Sequence, residues 1–178
     1  MPGRTKLISK ESIIFSHAQA QPNAWTFTIK PIKLLIERYV GDGLGWVDPF
    51  AGENSPAEYT NDLNPKRPTR YHLEAVDFCE MLKGQYKGII FDPPYSYRQI
   101  SEHYAENGLK ATALDTSINF FARVMNAICN KIALGGIAIS CGWNTNGFGK
   151  SSMPSECKTS KSMTNSTSIR TCHRHHRN

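Results

Sequence analysis

Two periods of apolar residues divide the chain. Gly88-Ile89-Ile90-Phe91 and Ile137-Ala138-Ile139-Ser140-Cys141 are short, nearly continuous apolar runs, the pattern of strands buried on both faces. Gly45-Trp46-Val47 leads into Asp48 in the same way, and Glu58-Tyr59-Thr60 predicts a shorter strand that reaches Asn61 and Asp62. Trp25 to Ile29 alternates and has strand propensity, and Tyr71-His72-Leu73 predicts a brief strand. Between these runs the period lengthens. Pro31 suits the first turn of a helix, and Ile32, Leu35, Ile36 and Tyr39 follow at helical spacing until Gly41. Ala75, Phe78, Cys79 and Leu82 form a second stripe that stops at Gly84. The longest stripe runs from Ile118 through Phe121, Ala122, Met125, Ile128 and Cys129 to Ile132. Asp115, Thr116 or Ser117 can cap that helix, and Gly135-Gly136 is expected to end it. The stretch from residue 92 to about 114 is polar and periodless, and Pro65-Lys66-Arg67-Pro68 reads as a loop. Strands alternating with helices predict an α/β fold, a doubly wound and mostly parallel sheet.

The pattern fails at both ends. Residues 1–24 are polar and read as an arm; residues 25–150 carry the folded domain. Residues 151–178 are dominated by Ser, Thr, Lys, Arg and His, with Ile169 the only branched aliphatic. A segment with so little to bury is expected to be disordered, so the sheet is expected to lack a terminal β-hairpin. That tail also holds most of the charge. Five of its residues are Lys or Arg and one is Glu, which accounts for +4 of the net +6. A basic balance suggests nucleic acid, but here it speaks mainly for the tail. At 178 residues the chain suffices for one α/β domain. No apolar run approaches the ~20 residues that span a membrane, and the N-terminus lacks a secretory core. The five cysteines are irregularly spaced and three lie in apolar stretches, so a reduced, cytoplasmic protein is expected. They have no metal-ligand spacing, and His173, His175 and His176 read as part of a basic end rather than a metal site.

Ligands of open α/β sheets bind beyond the C-terminal ends of the strands. Asp48, Asp62 and Asp92 stand at such ends, and Glu74 follows the possible strand at 71–73. One such acid is as well explained by capping a helix. Four along one edge suit a ligand with an amine, ribose hydroxyls and an adenine amino group. Asp92 is followed by Pro93, Pro94 and Tyr95. Proline cannot extend a sheet ladder, so the acid and the ring sit on a stiff strand exit.

Asp92-Pro93-Pro94-Tyr95 after a strand resembles motif IV of the adenine-N6-specific DNA methyltransferases, enzymes that use S-adenosylmethionine. Thr28-Ile29-Lys30-Pro31 followed by Leu34-Leu35 resembles the T-x-K-P-x-x-L helix start of that superfamily. Gly41-Asp42 followed by Val47-Asp48-Pro49-Phe50-Ala51-Gly52 resembles its cofactor-binding motif I. The three stand in a workable order across residues 25 to about 143, and the compact form is most similar to small phage-type enzymes. Two departures stand out. Glu53-Asn54-Ser55-Pro56 replaces the Gly and Thr residues usual after motif I, and the helix usual between the first two strands has almost no room. No segment is large enough for a separate target-recognition domain.

The resemblance implies methyl transfer from S-adenosylmethionine to the N6 amine of an adenine flipped out of DNA. Asp92 and the Pro93 carbonyl would accept the two amine N–H bonds, Pro94 would stiffen the turn, and Tyr95 would stack on the base. Asp48, Pro49, Phe50, Ala51 and Gly52 would surround the methionine end of the cofactor. Thr28 and Lys30 would lie nearby, although a solvated lysine at a helix start explains Lys30 nearly as well. Asp62 would take the ribose hydroxyls and Glu74 the adenine amine, while Phe78 reads as core. Arg98 and His103 are candidates for target contacts. Two other readings remain: an RNA base-amine methyltransferase, and a non-catalytic remnant whose altered C-terminus lacks the final hairpin.

Overall fold

A computed structural model describes residues 16–17, 26–94, 97–108, 110, 120–141, 159–164 and 167–171. Its centre is a set of parallel strands whose side chains alternate between two cores. β2 (Trp46–Asp48), β3 (Tyr59–Thr60), β4 (Tyr86–Phe91) and β5 (Ile132–Cys141) pair in parallel in the spatial order β3-β2-β4-β5. Val47, Ile89, Phe91 and Ala138 face one side, against α2 (Ala75–Met81) and α4 (Phe120–Cys129). Trp46, Ile90, Ile139 and Cys141 face the other, against α1 (Lys30–Tyr39). Neighbouring residues of one strand thus enter opposite cores, the period of two that a doubly covered sheet requires. The Rossmann-like, doubly wound architecture expected from the sequence is the one observed.

α1 begins where Pro31 permits, with Ile32, Leu35 and Ile36 buried. α2 buries Ala75, Val76, Phe78 and Cys79, so Phe78 is core. Burial pushes the Cys79 thiol up to about 12, which leaves it an inert packing group.

Several local expectations are corrected. Thr26–Thr28 is a 3-10 turn rather than a strand; it packs ahead of α1, where Ile29 N–H closes onto the Thr26 carbonyl at 3.2 Å. Tyr71 makes a single parallel bridge to Asn61 instead of a strand at 71–73. Tyr97–Glu106 is a helix, α3, within the stretch that reads as periodless. Among its described side chains it buries Ile100 and Tyr104, a pair at i, i+4 too sparse to show as a stripe. α4 ends at Cys129, so Ile132 opens β5 and Gly135-Gly136 lies inside that strand. Tyr86 pairs with Ile132 but Gly88 with Ile137, and Gly135, at φ 75°, sits in the resulting bulge. The capping residues expected at 115–117 lie outside the described residues.

The largest correction concerns the C-terminal region. β6 (Thr159–Thr164) and β7 (Thr167–Thr171) form an antiparallel hairpin, and β7 pairs with β5 from Ile137↔Thr171 to Cys141↔Thr167. β1 (Ser16–His17) adds in parallel to β6. A pattern of apolar side chains does not reveal this hairpin. Ladder pairing is a backbone property, and the β-branched threonines at 159, 164, 167 and 171 have strand propensity without adding hydrophobicity.

β7 therefore covers the edge of β5. Five β5–β7 pairs, at about 0.5–1.5 kcal/mol net for each ladder hydrogen bond, are lost on deleting residues 151–178. The shortened chain is expected to melt about 5 °C or more below the full chain and to self-associate through the bared edge. Equal melting temperatures by circular dichroism would return the hairpin to a dispensable tail.

Candidate active site

β2 ends at Asp48, and Pro49 stops the ladder. The Asp48 carboxylate turns back under its own loop, where it accepts the Phe50 N–H at 2.9 Å and the Ser55 hydroxyl at 2.6 Å. It is fully buried. Ser55 belongs to the Glu53–Pro56 stretch that departs from the motif, and it closes this turn through its side chain.

The next crossing is held by Asn61, also buried. Its amide donates to the carbonyls of Pro49 at 3.1 Å and Leu73 at 2.9 Å, and its Oδ1 accepts the Leu73 N–H at 2.9 Å. One side chain thus ties the exits of β2 and β3 to the start of α2. Asp62 follows, accepting the Gly52 N–H at 3.2 Å and the Asn64 N–H at 2.8 Å. Gly52 has φ 57°, a conformation that glycine adopts without strain.

These loops border a cavity of about 270 Å3 at the C-terminal edge of the parallel strands. Pro49, Phe50, Ala51, Gly52, Asp62 and Glu74 line it, as do Asp92, Pro93 and Pro94 from the end of β4. Glu74 directly precedes α2 but makes no side-chain cap. The remaining wall is largely apolar, from Phe27, Ile100, Tyr104 and Phe120.

Three expected residues stand elsewhere. Asp48 lies beneath the turn and not on the cavity surface, so its visible part is structural. Thr28 and Lys30 are exposed at the start of α1; Thr26 and Phe27 reach the cavity in their place. Tyr95 lies outside the described residues, as does the side chain of His103. Arg98 is exposed on α3 and pairs with Glu102 at 2.7 Å. Sequence reading missed Asn61, Ser55 and the apolar wall from α3. A buried Asn beside a strand end is a recoverable signal, whereas the hydroxyl of Ser55 is visible only once the turn is folded.

The charge in the cavity is predominantly negative. Glu53, Asp62, Glu74 and Asp92 line it against a single cation among the described lining residues, Arg67, which is ion-paired with Glu53. The Asp48 carboxyl registers the same field. Burial pushes it up to about 7, and the neighbouring Asp92 and Asp62 add to the rise against the two hydrogen bonds that lower it. A ligand carrying positive charge, amines and hydroxyls fits this donor-poor, acceptor-rich surface. S-adenosylmethionine, with its sulfonium, ammonium, ribose and adenine, has that chemistry.

Comparison with solved structures places the fold. The chain matches TrmN from Thermus thermophilus over 83% of its length with a TM-score of 0.52 at 12% identity. It shares with that structure the Rossmann-like fold, a mostly parallel sheet with flanking helices. The match covers 49% of TrmN, so the chain spans about half of that protein. A second match is the methylase candidate HI0767 of Haemophilus influenzae, over 80% of this chain and 85% of that one, with TM-score 0.44 and 12% identity. No family model matches, and no curated protein matches at a stringent threshold.

Asp48 yields a prediction about pH. An unfolded chain ionises this acid near 3.8, the folded one near 7. Between those values the folded state holds a proton that the unfolded state has released, so this group's contribution to stability falls as pH rises from about 4 to 7. Asp48→Asn keeps the shape and an acceptor for Phe50 without the titration. The variant is expected to gain on the wild type steadily over that window, by several kcal/mol at pH 8 relative to pH 4. Urea unfolding across the range measures the difference, and parallel curves for the two proteins would remove Asp48 as its source.

Proposed function

We propose that this chain transfers a methyl group from S-adenosylmethionine to the exocyclic N6 amine of adenine in DNA. One observation carries the reading: Asp92, Pro93 and Pro94 border the same cavity as Asp62, Glu74 and the Pro49–Gly52 turn. The family's motif for the target amine and its motif for the cofactor thus meet at one edge. The methyltransferase fold supports the reaction class; the choice of adenine rests on the motif.

In this reading Asp62 holds the ribose. Each of its oxygens accepts one backbone N–H, and a carboxylate has about four acceptor sites, so capacity remains for two hydroxyls. Glu74 accepts from the adenine amine, and the turn at Pro49–Gly52 wraps the methionine end with Thr26 and Phe27 in place of Thr28 and Lys30. Bound S-adenosylmethionine supplies an electrophilic methyl group on sulfur. The chain's task is to prepare the nitrogen. An adenine amine is a poor nucleophile because its lone pair is delocalised into the ring. Asp92 and the Pro93 carbonyl accept its two N–H bonds, which favours a pyramidal nitrogen with its lone pair aimed at the methyl group. Pro93 and Pro94 keep both acceptors in place, and misplacement by ~1 Å can cost ~100-fold in rate. Tyr95 supplies a stacking face for the flipped base.

Incubation with methyl-labelled cofactor and mixed DNA and RNA, followed by nucleoside analysis, tests this directly. Label in N6-methyladenine from DNA is expected. Label in RNA alone would move the substrate, and cofactor binding without label would leave a non-catalytic remnant. The observed hairpin weakens the remnant reading, whose motive was the apparent lack of final strands.

Two variants divide the site. Asp92→Ala is expected to lower methyl transfer by about 100-fold or more with cofactor affinity nearly intact; retained turnover would end its assignment. Asp62→Asn keeps the turn's shape and removes the charge, and cofactor binding should weaken by ~1.5–3 kcal/mol. Unchanged affinity by calorimetry would leave Asp62 as a loop cap only.

A further inference from the structure

The loop from Asn64 to His72 combines three cations with no acid. Lys66, Arg67 and Arg70 carry its charge, and it leaves the same sheet edge that bears the cavity. Its conformation is held from within. Lys66 N–H donates to the Asn64 side chain at 2.9 Å, Arg67 N–H to the Asn64 carbonyl at 3.0 Å, and the Thr69 hydroxyl to the Tyr71 carbonyl at 3.0 Å. Pro65 and Pro68 restrict it further. Arg70 is the best-placed cation. Its N–H is fixed by the Thr60 hydroxyl at 3.1 Å, and its guanidinium lies over the rings of Tyr59 and Tyr71, 5.2 and 5.6 Å from their centroids. Stacking orients the planar fork and leaves it exposed.

Arg67 spends its charge on Glu53. Among the described residues, no carboxylate lies within ion-pair distance of Lys66 or Arg70. The cavity beside them is acidic, so a polyanion approaching it meets repulsion unless cations stand at the rim. We infer that this loop is a backbone clamp for the nucleic-acid substrate, with Lys66 and Arg70 each engaging a phosphodiester of duplex DNA. Arg70 offers paired donors that match a phosphate in geometry, and Lys66 offers a point charge. The inference rests on the DNA reading above and gives it a docking edge outside the motifs.

Fluorescence anisotropy of a short labelled duplex, titrated with the full chain between about 50 and 200 mM salt, tests it. The double variant Lys66→Gln, Arg70→Gln is expected to bind about tenfold or more weakly at the low-salt end. Its dependence of log K on log salt should be shallower by about 2, because each lost phosphate contact removes about 0.9. Its affinity for S-adenosylmethionine should stay within about twofold, since neither side chain faces the cavity. Lys66→Gln alone, at an exposed side chain, should remove about 1 from the slope and decides the matter if the double variant does not fold. An unchanged slope overturns the clamp even in a protein that methylates DNA. A reduced slope in a protein that transfers no methyl group upholds the clamp and defeats the catalytic reading. A parallel titration with single-stranded RNA distinguishes the source of the phosphates: a larger variant effect on RNA than on duplex DNA overturns the commitment to DNA.

Discussion

The carboxyl group of Asp48, buried with no cation in ion-pair distance among the described residues, is the constraint on which the site is built. An acid in that position is costly, and among the described residues its retention at the end of β2 is offset by the Phe50 N–H and the Ser55 hydroxyl. Those two bonds wind the chain from Pro49 to Ser55 into a turn whose outer surface becomes the cavity floor. Asn61 fastens the turn to the neighbouring strand exit and to Leu73 at the head of α2. Asp62 and Glu74 follow Asn61 and Leu73 directly in sequence, so their positions are inherited from that clamp. The residues facing the cavity are thus placed by two buried polar groups, of which Asn61 also borders it and Asp48 does not.

This explains which features of the site were legible beforehand. Acids at strand ends can be read from the order of apolar runs, and Asp62, Glu74 and Asp92 do line one cavity. Whether a given acid faces the ligand or the interior depends on its hydrogen-bond partners, and Asp48 turned inward because Ser55 comes back to meet it. Helices with a full apolar stripe, such as α1, were equally plain. α3 was not, because among its described side chains Ile100 and Tyr104 are buried and most of its other residues are polar. The hairpin was missed for the opposite reason: its threonines favour strands while contributing little hydrophobicity, and its partner β5 offers an open ladder that a pattern of side chains does not register.

The distribution of charge has a physical logic of its own. The chain is basic as a whole, yet the cavity gathers four carboxylates and one neutralised cation. Repulsion among acids is tolerable where a cationic ligand relieves it, and it reaches even Asp48, whose proton is held tightly chiefly by burial and a little more because Asp92 and Asp62 lie near. Arg67 of the Asn64–His72 loop reaches into this field, whereas Lys66 and Arg70 do not line the cavity. Opposite potentials side by side would separate the two proposed partners, a small cation within and a polyanion along the rim.

The two regions also differ in how they are made rigid. β4 lies between β2 and β5, and Ile89, Ile90 and Phe91 are buried in cores on both faces of the sheet. Any displacement of Asp92 therefore has to move packed side chains on both sides, a resistance that close-packed interiors provide. The rim loop has no such support and relies on its prolines, its turn hydrogen bonds and the rings beside Arg70. Chemistry that depends on the aim of a single nitrogen needs the first kind of rigidity. Phosphate recognition is more tolerant, since a charge acts over a Debye length of about 8 Å at physiological salt. The sheet therefore holds the proposed acceptors for the target amine, while the weaker scaffold of the loop suffices for the charges that would bring the substrate to them.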